Sequence, residues 1–132
     1  MIPNAKEKEL SIRLHELLKA KGELPEIREG DWFDRGNWSG AIGIALKDKL
    51  LFYNDPCYRD NFILLLSWAR CRELLRKRGY FLAVVNDCNP GKVYFEFAED
   101  KFIKTGKSFG KWGQTDLEAI LAVMVRVTEE EK

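Results

Sequence analysis

Lys104, Thr105, Gly106, Lys107 and Ser108 spell the closing residues of a P-loop, in which backbone amides and a lysine cradle nucleotide phosphates. The full motif also needs a glycine where this chain has Lys101, and a helix opening at the lysine. Here Phe109, Gly110, Lys111, Trp112 and Gly113 continue a glycine-rich run instead. Nucleotide hydrolysis through this segment is therefore not expected. What remains is Lys104, Lys107, Lys111 and Trp112, three cations and an aromatic plane on one predicted loop, a candidate contact for a phosphate or a base. The plain alternative is a solvated loop whose tryptophan folds back over a sheet.

Further residues have chemistry-bearing side chains. Asp31 and Asp34, with Glu29 nearby, are the residue types of a paired-carboxylate site for acid/base or metal work, although Trp32, Phe33 and the glycines around them also suit a turn. Trp32 and Trp38 are candidate anchors of a protein interface, because tryptophan is enriched where binding energy concentrates; burial in a core is the competing use. His15 is the sole histidine, beside the apolar stripe of a predicted helix and without a companion at ligand or triad spacing. Cys57, Cys71 and Cys88 are scattered and odd in number, which argues against a disulfide framework and a zinc site. Cys71 reads as a small core residue. No cofactor or metal is expected.

The elements that must position these residues follow from periodicity. Leu64, Leu65, Trp68, Cys71, Leu74 and Leu75 recur at helical spacing and predict a helix over 61–78, its last turn basic and Gly79 its stop. Tyr80–Val85, a turn at Asn89, Pro90 and Gly91, and the alternation of Val93, Phe95 and Phe97 predict a hairpin. Lys101–Lys104 is a candidate third strand and Gly106–Gly113 a loop. Thr115 and Glu118 form a capping box that opens a helix over 116–128, with Leu117, Ile120, Leu121 and Met124 inward. Upstream, Asn4 caps a helix over 5–21 that Gly22 stops. Glu23–Gly30 is a connector, and Gly40–Leu46 with Leu50–Tyr53 is a second hairpin extending the same sheet. The expected fold is α+β: one antiparallel sheet of about four to five strands, with helices 61–78 and 116–128 sharing one face.

Composition narrows the class further. With 45% hydrophobic and 33% charged residues over 132 positions, one domain is the expectation. Lysine and arginine number 22 against 21 acidic residues, so no global field draws the chain to nucleic acid or an anionic membrane, and any such affinity needs a local patch. No apolar run suits a membrane span, and the amino-terminal Lys6, Glu7, Lys8 and Glu9 lack a signal-peptide block. A cytoplasmic protein is expected.

The order helix, strands, helix also resembles that of a double-stranded RNA-binding domain, in architecture only. That family places a lysine cluster where this chain has Thr115, Asp116, Leu117 and Glu118, so no RNA-binding residue carries over. A tryptophan-bearing helix closing on Arg78, Gly79 and Tyr80, the aromatic hairpin to Phe97, a glycine-rich loop, and Thr115–Ile120 opening the last helix are together similar to phage ABA-sandwich domains, small proteins of bacteriophages and prophages. The likeness covers residues 60–128 and implies a fold and a mobile-element setting, with no catalytic residue. The leading expectation is thus a non-enzymatic phage or prophage accessory protein that binds a host or phage protein. A small-ligand or nucleotide binder using the Lys104–Trp112 loop is one alternative, and a small hydrolase using Asp31 and Asp34 another. Homo-oligomerisation through a sheet edge near Tyr53 or Lys101 is compatible with each.

Overall fold

The computed structural model describes residues 3–35, 42–99 and 107–130. The chain forms two compact units, Met1–Ser67 and Trp68–Lys132. The fold is α+β, but the expected single sheet is replaced by two three-stranded antiparallel sheets.

In the first unit, helix α1 (Ala5–Lys21) begins at a complete capping box. The Glu7 amide donates to Asn4 Oδ1 at 2.8 Å, and the Asn4 amide donates to the Glu7 carboxylate at 2.7 Å. It ends at Gly22, whose φ of 68° is left-handed backbone open to glycine. Leu14 and Leu18 are buried, and α1 packs on strand β3 (Ile63–Leu65). Strand β1 (Trp32–Asp34) runs centrally between β2 (Ile42–Ile44) and β3. Phe33 crosses from β1 over Gly43 of β2, where an added Cβ would lie 2.9 Å from the ring, so the glycine makes room for the aromatic.

Three strands of three residues bury little by themselves, and an aromatic cluster completes this core. Phe33 lies 4.9 Å from Tyr53 and 5.4 Å from Phe62, ring centre to ring centre. Tyr53 belongs to a short helix, α2 (Leu50–Tyr53), which a 3-10 turn at Lys47–Lys49 introduces. The strand expected over Leu50–Tyr53 is therefore a helical turn. Its four large residues read equally well at either period, and only the Phe33 pocket decides that Tyr53 turns inward.

The connector that the sequence left without periodicity is fixed by side chains. Asn54 Oδ1 accepts from the Ile27 amide at 2.8 Å, and its Nδ2 donates to the Ile27 and Leu50 carbonyls at 2.8 and 3.1 Å. The Arg59 guanidinium donates to the Pro25 and Phe62 carbonyls.

The second unit opens with helix α3 (Trp68–Lys77), which starts later than the expected 61–78 because Ile63–Leu65 pair with β1 as a strand. The run Leu64–Leu66 is buried on both sides, and a buried strand of that kind mimics a helical stripe. Gly79, φ 86°, turns the chain into β4 (Tyr80–Asn86), β5 (Val93–Glu99) and β6 (Ser108–Gly113). Gly91, φ 72°, sits in the β4–β5 turn. The sheet order is β4-β5-β6, with a bulge between Leu82 and Val84.

The predicted loop Gly106–Gly113 is thus mostly strand β6. Its glycines permit close approach instead of supplying flexibility: the Tyr94 hydroxyl lies where a side chain on Gly110 would begin, and a Cβ on Gly113 would fall 2.5 Å from the Ala119 amide nitrogen. The strand proposed at Lys101–Lys104 lies outside the described residues.

Helix α4 (Asp116–Glu130) packs across β5 and β6 and against α3, which also meets β4. Ala119, Ile120, Leu121, Val123, Met124 and Val127 are all at 0% exposure. Both helices therefore reach one sheet, though a sheet of three strands. Glu118 donates its amide to Thr115 Oγ1 at 3.0 Å, while the Glu118 carboxylate accepts from the Gln114 amide at 2.9 Å, one residue upstream of the cap. The Arg78 guanidinium donates to Thr128 Oγ1, whose hydroxyl donates back to the Met124 carbonyl. Among the described residues no helix is long and apolar enough to cross a membrane.

Candidate functional site

Of the four residues proposed for phosphate or base contact, the three that are described, Lys107, Lys111 and Trp112, do not converge. Lys104 and Trp38 both lie outside the described residues. Lys107 is engaged: its Nζ is 3.3 Å from Glu99 Oε1 and 5.8 Å from the centre of the Phe109 ring. The hydrogen bond to Glu99, foremost, holds its ammonium above the usual lysine range. Lys111 and Trp112 are adjacent in a strand and so point to opposite faces, and Lys107 is roughly 17 Å from Trp112 at the strand rise. A strand conformation therefore spreads the described members of the cluster over two faces.

Trp112 enters a cleft, of about 430 Å³, with Asn89, Lys92, Gly113, Gln114 and Glu118. Its ring lies 5.1 Å from that of Tyr94. The Tyr94 hydroxyl donates to Glu96 at 2.8 Å, and burial first, then Glu96, raises its pKa. Lys92 and Glu118 set one cation against one anion on the cleft wall, so the site has an aromatic plane and no strong charge preference.

The acidic candidates have structural partners. Asp34 is buried on β1 with Lys8 Nζ of α1 at 2.9 Å. Asp31 Oδ2 accepts from the Arg28 amide at 2.8 Å and so closes the turn before β1. Among the described residues no group of three His, Cys, Asp or Glu side chains could hold a metal. His15 is buried on α1, and Cys71 is buried with its thiol pushed up to about 12 by burial, which leaves it protonated and unreactive. Trp32, read as an interface anchor, is half-buried in the central strand between Ile44 and Leu65.

Two surfaces that the sequence reading missed stand out. The first is on α2. Leu51 is 92% exposed, and Phe52 and Tyr58, with rings 4.6 Å apart, are 43% and 37% exposed. Ile44 and Leu46, earlier in the same unit, are also exposed. One helical turn makes this surface, since Tyr53 and Leu50 turn toward the core and Leu51 is left pointing out. The signal in the sequence was four large apolar residues directly after Lys47, Asp48 and Lys49. The second surface is a groove of about 590 Å³ along α3, lined by Trp68, Ala69, Arg72, Glu73, Arg76 and Lys77. Trp68 is half-buried where a core position was expected. Its ring edge meets Phe95 at 5.7 Å, and the Arg72 guanidinium stands 5.4 Å over the indole. Comparison with known proteins returns no match to a family model, to a curated protein or to a solved structure.

Proposed function

We propose that the chain is a non-enzymatic protein-binding module whose contact surface is the exposed apolar turn of α2, centred on Leu51 and Phe52. The observation that carries this reading is Leu51 at 92% exposure beside two half-exposed aromatic rings. A leucine held in water forgoes roughly 1.5 to 3 kcal/mol that burial would return, and contiguous apolar surface of this kind marks contact sites. Lys47, Asp48 and Lys49 border the turn with both signs of charge, the polar rim that surrounds a desolvated centre. The phage or prophage setting, a host or phage protein as partner, and action inside the bacterial cell rest on the resemblance of residues 60–128.

The test is comparative. Wild-type chain and the double variant Leu51→Asp, Phe52→Ser are used as bait under identical conditions, with circular dichroism confirming that both are folded. Partner recovery is expected to fall at least about tenfold, equivalent to 1.4 kcal/mol. Recovery equal to wild type would remove the surface from consideration.

A second reading, a small planar ligand or nucleotide stacked on Trp112 beside Lys92, is favoured by the half-exposed indole lining its cleft. Calorimetry against a nucleotide panel that shows no heat would end it.

A further inference from the structure

The segment Trp68–Arg78 holds Arg70, Arg72, Arg76, Lys77 and Arg78 against a single acid, Glu73. In a chain of net charge +1, that is the local patch which overall composition concealed. A helix dipole accounts for basic residues in the last turn only. Arg70 is buried and Arg78 bonds Thr128, so both serve the interior. Arg72 and Arg76 are exposed and line the α3 groove with Trp68, at a spacing of four residues that stacks all three on one face of the helix. Lys77 also lines the groove, its Nζ 3.5 Å from Glu73 Oε1. Among the described residues, neither Arg72 nor Arg76 enters a salt bridge, and the closest defined partner of Arg72 is the Trp68 ring.

The Trp68 indole Nε1–H is buried, with no hydrogen-bond partner among the described residues, so what this half-buried side chain presents to the groove is its ring and not its N–H. The groove thus offers donors and positive charge and an aromatic plane at one end. Four residues of helix set the Cα atoms of Arg72 and Arg76 ~6 Å apart along the axis, so that their side chains can reach two phosphates of one chain together. A free carboxylate or a single phosphate uses only half of that arrangement.

We propose that the α3 groove binds single-stranded nucleic acid, Arg72 and Arg76 taking neighbouring phosphates and Trp68 receiving an unpaired base. The indole is useful only if the base is unstacked, which selects single strands over duplex. Binding is sequence-tolerant and weakens with salt, because its free energy comes from counterion release. The site lies in the unit that does not contain α2, so it stands or falls apart from the protein-binding surface.

Fluorescence anisotropy of a labelled oligothymidine strand, titrated with the full chain at several salt concentrations, tests the inference. Duplex DNA, inorganic phosphate and polyglutamate serve as unlabelled competitors. Wild type is expected to bind at low salt. Arg72→Gln with Arg76→Gln should weaken binding at least about tenfold and reduce the log–log salt slope by about 1.4, from roughly 0.7 per phosphate contact on a single strand. Lys111→Gln, which removes the same unit charge from β6, should bind as wild type. Trp68→Phe should retain most of the affinity and Trp68→Ala lose it. If the double variant does not fold, Arg76→Gln alone should still reduce the slope by about 0.7. The proposal is overturned if the strand gives no anisotropy change at low salt or if the arginine variants bind like wild type. It is equally overturned if polyglutamate or duplex competes as well as the single strand, since that would mark a site for acidic protein or for general polyanions.

Discussion

The two units solve one problem, burying a three-stranded antiparallel sheet, with different materials. In the first, strands of three residues are too short to hold a core, and Phe33 and Tyr53 gather around Phe62, each edge to face with it, while Asn54 and Arg59 tie loops down by side-chain hydrogen bonds. In the second, β4 and β5 run for seven residues each and α4 lays a nearly continuous aliphatic stripe over the sheet, so backbone ladders and aliphatic burial do most of the holding. Where regular elements are long, periodicity specifies the fold; where they are short, particular side chains must.

The sharpest way to break this comparison is to remove one core residue from each unit. Phe33→Ala and Leu121→Ala, both at 0% exposure, should each cost about 3 to 5 kcal/mol in denaturant unfolding. Native-state hydrogen exchange should then show protection lost first in β1–β3 for the former and in β4–β6 for the latter. Equal loss throughout the chain for both variants would mean that the contrast of materials has no energetic counterpart.

Next in size is Asn54→Ala. It strands the amide and carbonyl of Ile27, a residue that is 2% exposed, and should cost about 2 to 3 kcal/mol. A cost under about 0.5 kcal/mol, the level of an ordinary surface change, would show that side-chain ties do not hold the first unit.

Cys71 gives a test in pH. Burial raises its thiol from 9.0 to about 12, the nearby Arg70 charge offsetting only part of the rise. In the unfolded chain the thiol loses its proton first, so stability is fully present below pH 9 and falls as pH rises toward 12, by roughly 1.4 kcal/mol per pH unit from this group. Urea midpoints of wild type and Cys71→Ala should therefore converge above pH 9; parallel curves would show a hydrated thiol.

The smallest expected effect is that of Thr115→Ala, about 1 kcal/mol from the lost cap on α4. Asn4→Ala removes the side-chain half of the box on α1 and should cost a similar amount, which makes the two caps a direct comparison of the units at the same chemistry.

Much of the second unit was legible, as was the first helix of the first. The stops at Gly22 in the first unit and Gly79 in the second, the Asn89–Gly91 turn, and the Phe95 and Phe97 alternation all record backbone requirements of nearby residues. Legibility ended where one composition serves two structures. Ser108–Gly113 looked like a loop because glycine breaks local patterns, yet its glycines answer to Tyr94 and Ala119, contacts distant in sequence. Leu64 and Leu65 looked helical because a strand buried on both faces has no alternation. The site reading changed with the loop for its described residues: in a strand, Lys111 and Trp112 face apart and Lys107 pairs with Glu99.

The sequence by itself determined the class and several boundaries: an α+β chain, a capped first helix, a central hairpin and a capped last helix, because caps, glycine turns and alternation act over a few residues. Only the tertiary structure decided that there are two sheets, that Leu51 faces water while Tyr53 faces Phe33, and that Arg72 and Arg76 line a groove headed by Trp68. Those outcomes depend on which distant side chain fills the space beside each residue, and spacing along a chain does not encode that.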